Sequence, residues 1–249
     1  MPSPASAPAR APTAAYAHER MRALADADNA AFLQRYFKTG PGQYGEGDRF
    51  LGIRIPALRK LARELRGLPL VDAAELLGSP FHEERGLALM LLVDAYERGG
   101  EPEREAIYRL YLRSTAHVNN WDLVDSSAPG IVGAHLAGRD RAPLLELARS
   151  SDLWERRIAM VATLHLIRRG EVDETQRIAR ELLGDRHDLI HKAAGWMLRE
   201  MGKRDIGAVH TFLREHAHEM PRTMLRYAIE RLPEPMRRRY MTQKQPAED

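Results

Sequence analysis

Two residues one helical turn apart carry the most distinctive chemistry in this chain. In Asn119-Asn120-Trp121-Asp122-Leu123-Val124-Asp125-Ser126-Ser127-Ala128-Pro129-Gly130, Trp121 and Asp125 stand at i and i+4, so a helix places them on one face. An aromatic plate beside a carboxylate suits a cationic organic group. Pro129 has no N–H to offer the Asp125 carbonyl, so the helix is expected to kink or stop there. The segment reads as the floor of a cleft. Each residue alone has an ordinary reading: an Asp before Ser126 and Ser127 is commonly a cap, and a Trp is commonly core.

Two further groups could supply walls. In the segment 187–202, Lys192, Trp196, Arg199 and Lys203 fall at i, i+4, i+7 and i+11, one helical face. Ile190, Ala194, Met197 and Met201 form an opposite, buried stripe. A basic face with an embedded aromatic suits a nucleic-acid backbone; the alternative is a solvated charged face with Trp196 partly in the core. In Leu153-Trp154-Glu155-Arg156-Arg157, Arg157 borders the apolar stripe of its own helix. An arginine there needs an anionic ligand or an internal partner such as Glu155 or Asp152. Arg222 and Arg226 share a face and extend the basic surface, whereas Arg237-Arg238-Arg239 reads as a solvated helix end.

Other chemistries find no support. His187 and His191 are one turn apart, but the glutamate of a metalloprotease helix is missing between them and no third ligand is evident. No metal and no cofactor is expected. There is no G-x-S-x-G, no Walker loop and no paired-acid motif. Gly40, Gly42 and Gly45 match a dinucleotide fingerprint in letters only, since no strand precedes them and no helix opens within them; a flexible connection is expected. The absence of cysteine excludes disulfides and thiol nucleophiles. It is compatible with a reducing cytoplasm, the expected location.

The elements that must position these groups are helices. Hydrophobic residues make up 44% of the 249, aromatics only 6%, and Ala, Leu, Arg and Glu dominate, all helix formers. Net charge is only +3 with a pI near 9.2, so local clustering must carry any nucleic-acid argument. No run of about 18 apolar residues occurs, so no membrane span is expected. Met1 to Ala15 is Ala/Pro/Ser-rich and reads as a disordered tail, 16–240 as a single domain and 241–249 as a polar tail. Helices are expected near 57–66, 70–78, 82–98, 102–114, 120–137 with a break at Pro129, 142–149, 153–169, 172–183, 187–202, 204–218, 221–231 and 234–240, after two helices in 16–38. Short turns join them, and pairs recur at roughly 35–40 residues, the range of helical repeats. Such pairs bury their apolar faces by stacking into a right-handed superhelical solenoid with a concave surface.

Phe50-Leu-Gly-Ile-Arg-Ile-Pro56, Trp121-Asp-Leu-Val-Asp125, Trp154-Glu-Arg-Arg157 and Gly195-Trp-Met-Leu-Arg-Glu200 occur in this order. With them the chain resembles the AlkD family of bacterial DNA alkylation repair glycosylases over about residues 20–232. The resemblance implies an all-α solenoid of HEAT-like repeats. It also implies removal of N3- and N7-alkylated purines from duplex DNA without base flipping. Asp125 then resembles the catalytic carboxylate, Trp121 and Trp196 the aromatics flanking the deoxyribose, and Arg157 a phosphate-contacting arginine of the same cleft. Tyr36 matches a tyrosine near that cleft. Arg54 stands where a family member carries glutamine. Loop 40–48 resembles an insertion found in part of the family.

Three functions are weighed. A monofunctional glycosylase needs Asp125 and acts as a monomer on alkylated double-stranded DNA. A non-catalytic solenoid binding damaged or branched DNA needs Lys192 and Arg157 but not Asp125. A protein-binding scaffold needs no DNA. The intact set Trp121, Asp125, Arg157 and Trp196 favours the enzyme.

Overall fold

The computed structural model describes residues 12–242, so the tail readings for 1–11 and 243–249 lie outside the described residues. The start of the tail assignment shifts. Helix α1 (Ala14–Ala23) begins before residue 16, because Thr13 caps it by accepting the Tyr16 amide at 3.2 Å. The chain's own contacts divide it into two compact units that meet between Leu110 and Tyr111.

The first unit continues with α2 (Ala27–Tyr36), α3 (Ile55–Glu64), α4 (Leu70–Leu77), α5 (His82–Arg98) and the start of α6 (Glu101–Arg113). Pro56 sits in the first turn of α3, where a missing N–H costs nothing. Helix α5 packs on α3 and α4, and α1 on α4, where the Ala14 amide bonds Asp72 at 2.7 Å. Loop 39–49 is more than an unstructured connection. Glu46 accepts the Gly42 amide at 2.9 Å, Gln43 the Gly40 amide at 3.0 Å, and Gly45 bonds back to the Lys38 carbonyl.

The second unit holds a 3-10 turn (Thr115–His117), α7 (Trp121–Ser127), a wide π turn (Pro129–Gly133), α8 (Ala134–Leu136), α9 (Ala142–Ala148), α10 (Leu153–Arg168), α11 (Asp173–Glu181), α12 (Asp188–Gly202), α13 (Ile206–His216), α14 (Arg222–Ile229) and α15 (Glu234–Met241). Pro129 acts as its chemistry requires. The α ladder stops, and the Gly133 amide reaches the Ala128 carbonyl at 2.9 Å, five residues back. The turn then lies directly on α10: a Cβ on Gly133 would stand 2.1 Å from the Ala162 carbonyl oxygen.

Helices α7, α10, α12 and α14 form one row, each packed on the next, and α9, α11 and α13 lie behind. Helices α10, α12 and α14 begin roughly 35 residues apart, the spacing of helical repeats. Helix α10 is the centre: from Arg157 to Ile167 only His165 escapes burial, as its nearly continuous apolar run dictates. Ile190, Ala194, Met197 and Met201 are fully buried, as the α12 pattern predicts. Among the described residues no strand occurs, apart from one isolated bridge between Arg49 and Phe81. The protein is all-α and built of helical repeats.

Candidate active site

The site grows from the first turns of α7 and α10. Asn120 begins α7 by accepting the Trp121 amide at 2.8 Å. That fixes Trp121 and, one turn later, Asp125 on a shared helical face, both half-buried. Asp125 caps nothing. Its carboxylate accepts the Arg157 fork, Oδ1 from Nε at 2.9 Å and Oδ2 from Nη2 at 2.8 Å. The third donor of Arg157, Nη1, bonds the Leu189 carbonyl in the first turn of α12 at 2.5 Å. Arg157 is 5% exposed, so its partners are internal. They are neither of the expected neighbours. Asp152 caps its own helix through the Trp154 and Glu155 amides, and Glu155 accepts the Thr115 hydroxyl at 2.7 Å. An arginine's rigid fork matches a carboxylate across helices better than a residue in its own turn can.

The run Trp154-Glu155-Arg156-Arg157 is thus a clasp. Glu155 holds the turn before α7. Arg156 holds Asp185 at 2.7 Å and the Ser150 and Ser151 carbonyls, and Asp185 fixes the approach to α12 through the His187 amide at 2.7 Å. Arg157 joins α7 to α12. His187 is a cap: its Nδ1 accepts the Leu189 amide at 3.2 Å, and burial holds its pKa below the usual histidine value. His191 Nε2 pairs with the Asp185 carbonyl. Among the described residues no cluster of three or more His, Cys, Asp or Glu could hold a metal ion.

Burial pushes the Asp125 carboxyl above the usual carboxylate range. Arg157 pulls it partway back and the Asp122 charge pushes it up again. Both carboxylate oxygens accept from the guanidinium, an arrangement that favours the ionised form. Beneath lies Tyr111, fully buried, its hydroxyl 3.0 Å from the Ser127 hydroxyl and its pKa raised by burial. One side of Asp125 remains open, its side chain 20% exposed.

Trp196 is half-buried, and its indole N–H donates to Glu200 at 3.2 Å. It lies on the face of α12 that carries Leu189, two turns and about 10 Å further along. The cations around it are not a free row. Lys192 pairs with Asp188 at 2.7 Å, Lys203 with Glu200 at 2.7 Å, and Arg199 with Glu230 of α14. Periodicity marks the cations, and carboxylates interleaved on α12 or reaching from α14 neutralise them. Arg222 is exposed and donates to the Met241 carbonyl at 3.0 Å; Arg226 is exposed, one turn on. Tyr36 and Arg54 belong to the first unit. Tyr36 is 54% exposed and stacked on Phe32, ring centroids 6.1 Å apart. Arg54, exposed, precedes α3 at its cap position.

Sequence reasoning missed a buried charge cluster in the first unit. Asp48, at the end of the Gly-rich loop, bonds His82 Nδ1 at 2.8 Å and Arg85 Nη2 at 2.7 Å. Glu83 accepts the amides of Leu51, Gly52 and Ile53 at 2.9, 2.7 and 3.1 Å. The polar run opening α5 was visible, but its partners lie thirty or more residues away and no local pattern marks them.

Chemically, the second unit holds a carboxylate rigidly, half-open, on a helix face that also carries an indole. Such a group stabilises a cation that forms beside it. The class defined by fold and site is therefore an all-α helical-repeat protein with an arginine-clamped acid. The family of DNA alkylation repair enzymes matches residues 17–232, and the chain belongs to it. A solved structure described as a predicted DNA alkylation repair enzyme from Enterococcus faecalis shares the fold, with a TM-score of 0.64 and 19% identity. The match covers 84% of this chain and 97% of that one. No curated protein matches the chain.

Proposed function

We propose that the protein is a DNA glycosylase of the AlkD type. It hydrolyses the N-glycosidic bond of N3- and N7-alkylated purines, such as 3-methyladenine and 7-methylguanine, in duplex DNA. The single observation that carries the reading is the half-open Asp125 carboxylate locked by Arg157 on the helix face of Trp121. An alkylated purine of this kind is already cationic and a good leaving group, so departure needs little acid catalysis. The growing positive charge on the deoxyribose needs an anion in a fixed place, which Asp125 supplies. The same oxygens can orient the attacking water. The faces of Trp121 and Trp196 add attraction for a cation. The base stays in the stack in this scheme.

The test is single-turnover release of 7-methylguanine from methylated duplex DNA by the purified protein. Asp125→Asn keeps the shape and removes the charge; it is expected to slow release about 10²–10³-fold, the cost of one fixed transition-state electrostatic contact, with duplex binding retained. Binding without release by the unaltered protein would instead favour a non-catalytic DNA-binding solenoid.

A further inference from the structure

The C-terminal halves of α10 and α12, with Lys203 and Arg204 just beyond α12, line a half-open cavity of about 340 Å³. Leu164 and Ile167 give it an apolar side and Trp196 an aromatic one. It lies on the strip of surface that carries the Asp125 clamp. On α10, Leu164 and Arg168 stand two and three turns beyond Arg157 on the same face; on α12, Trp196 stands two turns beyond Leu189. The polar lining divides into two kinds. Lys203 is neutralised by Glu200, which also holds the Trp196 indole. Arg168 and Arg204 also line the cavity and are exposed, and no carboxylate among the described residues pairs with either.

Two unpaired guanidinium groups beside an indole and an aliphatic wall complement a particular kind of ligand. It carries a delocalised anion for the forks and a flat or apolar body for the wall. A nucleotide within a strand has both: its phosphodiester faces arginine and its deoxyribose packs on the aliphatic wall of Leu164 and Ile167, leaving Trp196 between it and the nucleotide at Asp125. We infer that this cavity holds the backbone of a nucleotide flanking the one at Asp125, with Arg168 and Arg204 on its phosphates. The inference rests on the reading that the chain engages DNA. It adds to Lys192, Arg199 and Lys203, each paired with a carboxylate, two arginines that have no such partner among the described residues.

The experiment is duplex binding across a salt series, by anisotropy of a labelled oligonucleotide carrying one 7-methylguanine. Arg168→Gln and Arg204→Gln are each expected to reduce the slope of log K against log salt by about 1, and the double variant by about 2. Arg237→Gln, an exposed arginine of α15, leaves the slope unchanged and controls for loss of charge alone. A second arm replaces single phosphates near the lesion with neutral methylphosphonates. One such linkage weakens binding by the unaltered protein and has no further effect on Arg168→Gln or Arg204→Gln. A wild-type slope in the double variant, with melting temperature preserved, overturns the inference; so does a methylphosphonate penalty that persists undiminished in both single variants. Failure of the unaltered protein to bind any duplex at low salt removes the DNA reading itself, a distinct result.

Discussion

Arg157→Met separates two readings of one arginine. Methionine keeps an unbranched side chain in the buried space but removes three donors: two to the Asp125 carboxylate and one to the Leu189 carbonyl. Breaking a buried ion pair costs about 3–5 kcal/mol. Asp125 keeps some access to water, so the lower end is expected. Stability near 5–15 kcal/mol leaves the variant folded, melting about 6–12 °C lower at 2–4 °C per kcal/mol for a domain of this size. The functional effect follows from the charge left behind. Burial already raises the Asp125 pKa, and Arg157 is the main opposing influence. Without it the carboxyl rises further. The ionised form is the competent one, so activity is lost as pH falls through that pKa, and the acid limb of the single-turnover rate must move toward neutrality.

The assay is release of 7-methylguanine at saturating enzyme from about pH 5 to pH 9, with duplex affinity measured in parallel. The expected result is an acid limb displaced upward, partial recovery of rate at high pH and an almost unchanged salt slope, because a side chain 5% exposed, with each guanidinium nitrogen bonded internally, is poorly placed to reach a phosphate. A limb that stayed in place while the salt slope dropped by about 1 would refute the clamp. Arg157 would then act on a phosphate, the role its family resemblance implies, and the clamp would be incidental.

Two other perturbations test the scaffold. A Cβ on Gly195 would stand 2.4 Å from the Met224 carbonyl oxygen and 2.5 Å from the Tyr227 Cβ, so α14 must shift away from α12. Gly195→Ala gains up to about 1 kcal/mol of helix propensity but incurs overpacking of about 1–3 kcal/mol; a lower melting temperature is expected, and an unchanged or higher one would show that the helices have room. In the first unit, burial pushes the Asp48 carboxyl up, but His82 and Arg85 outweigh it and hold its pKa below the usual value. A depressed folded pKa contributes stability above the ordinary carboxylate pKa and loses it as pH falls through the depressed value. Asp48→Asn is therefore expected to cost about 3–5 kcal/mol at pH 7 and progressively less toward pH 3 in chemical denaturation, and a pH-independent difference would contradict the assigned ion pairs.

Much of the architecture was legible because helices announce themselves locally. Pro56, Pro129 and the polar breaks near Gly170 and Gly202 mark ends that the structure places within a few residues. Pro129 also foretold the break after Asp125, since a missing N–H acts on its own turn. Partnership was not legible. Burial on an apolar stripe shows that Arg157 needs a counter-charge but not which one, and the nearby Asp152 and Glu155 are committed to a cap and to Thr115. On the α12 face, periodicity marks the cations, but not that Asp188 and Glu200, one turn from Lys192 and Lys203, pair with them.

A signal for the clamp nevertheless exists in the chain, and its period is that of the repeat. Asp125 and Arg157 are 32 residues apart, as are Arg149 and Glu181; Arg156 and Asp185 are 29 apart, Arg141 and Glu171 30, Arg199 and Glu230 31. In stacked helical pairs, residues one repeat apart occupy equivalent places on neighbouring units and face each other, much as i and i+4 do on one helix. Opposite charges near that spacing are therefore contact candidates. Arg149–Glu181 and Arg199–Glu230 are exposed on at least one side, where an ion pair contributes at most about 1 kcal/mol. The Asp125–Arg157 pair differs because its arginine is buried while its carboxylate keeps one open side. The repeat supplies the pairing, and burial in the row turns one of its instances from surface stitching into a fixed charge able to act on a substrate cation.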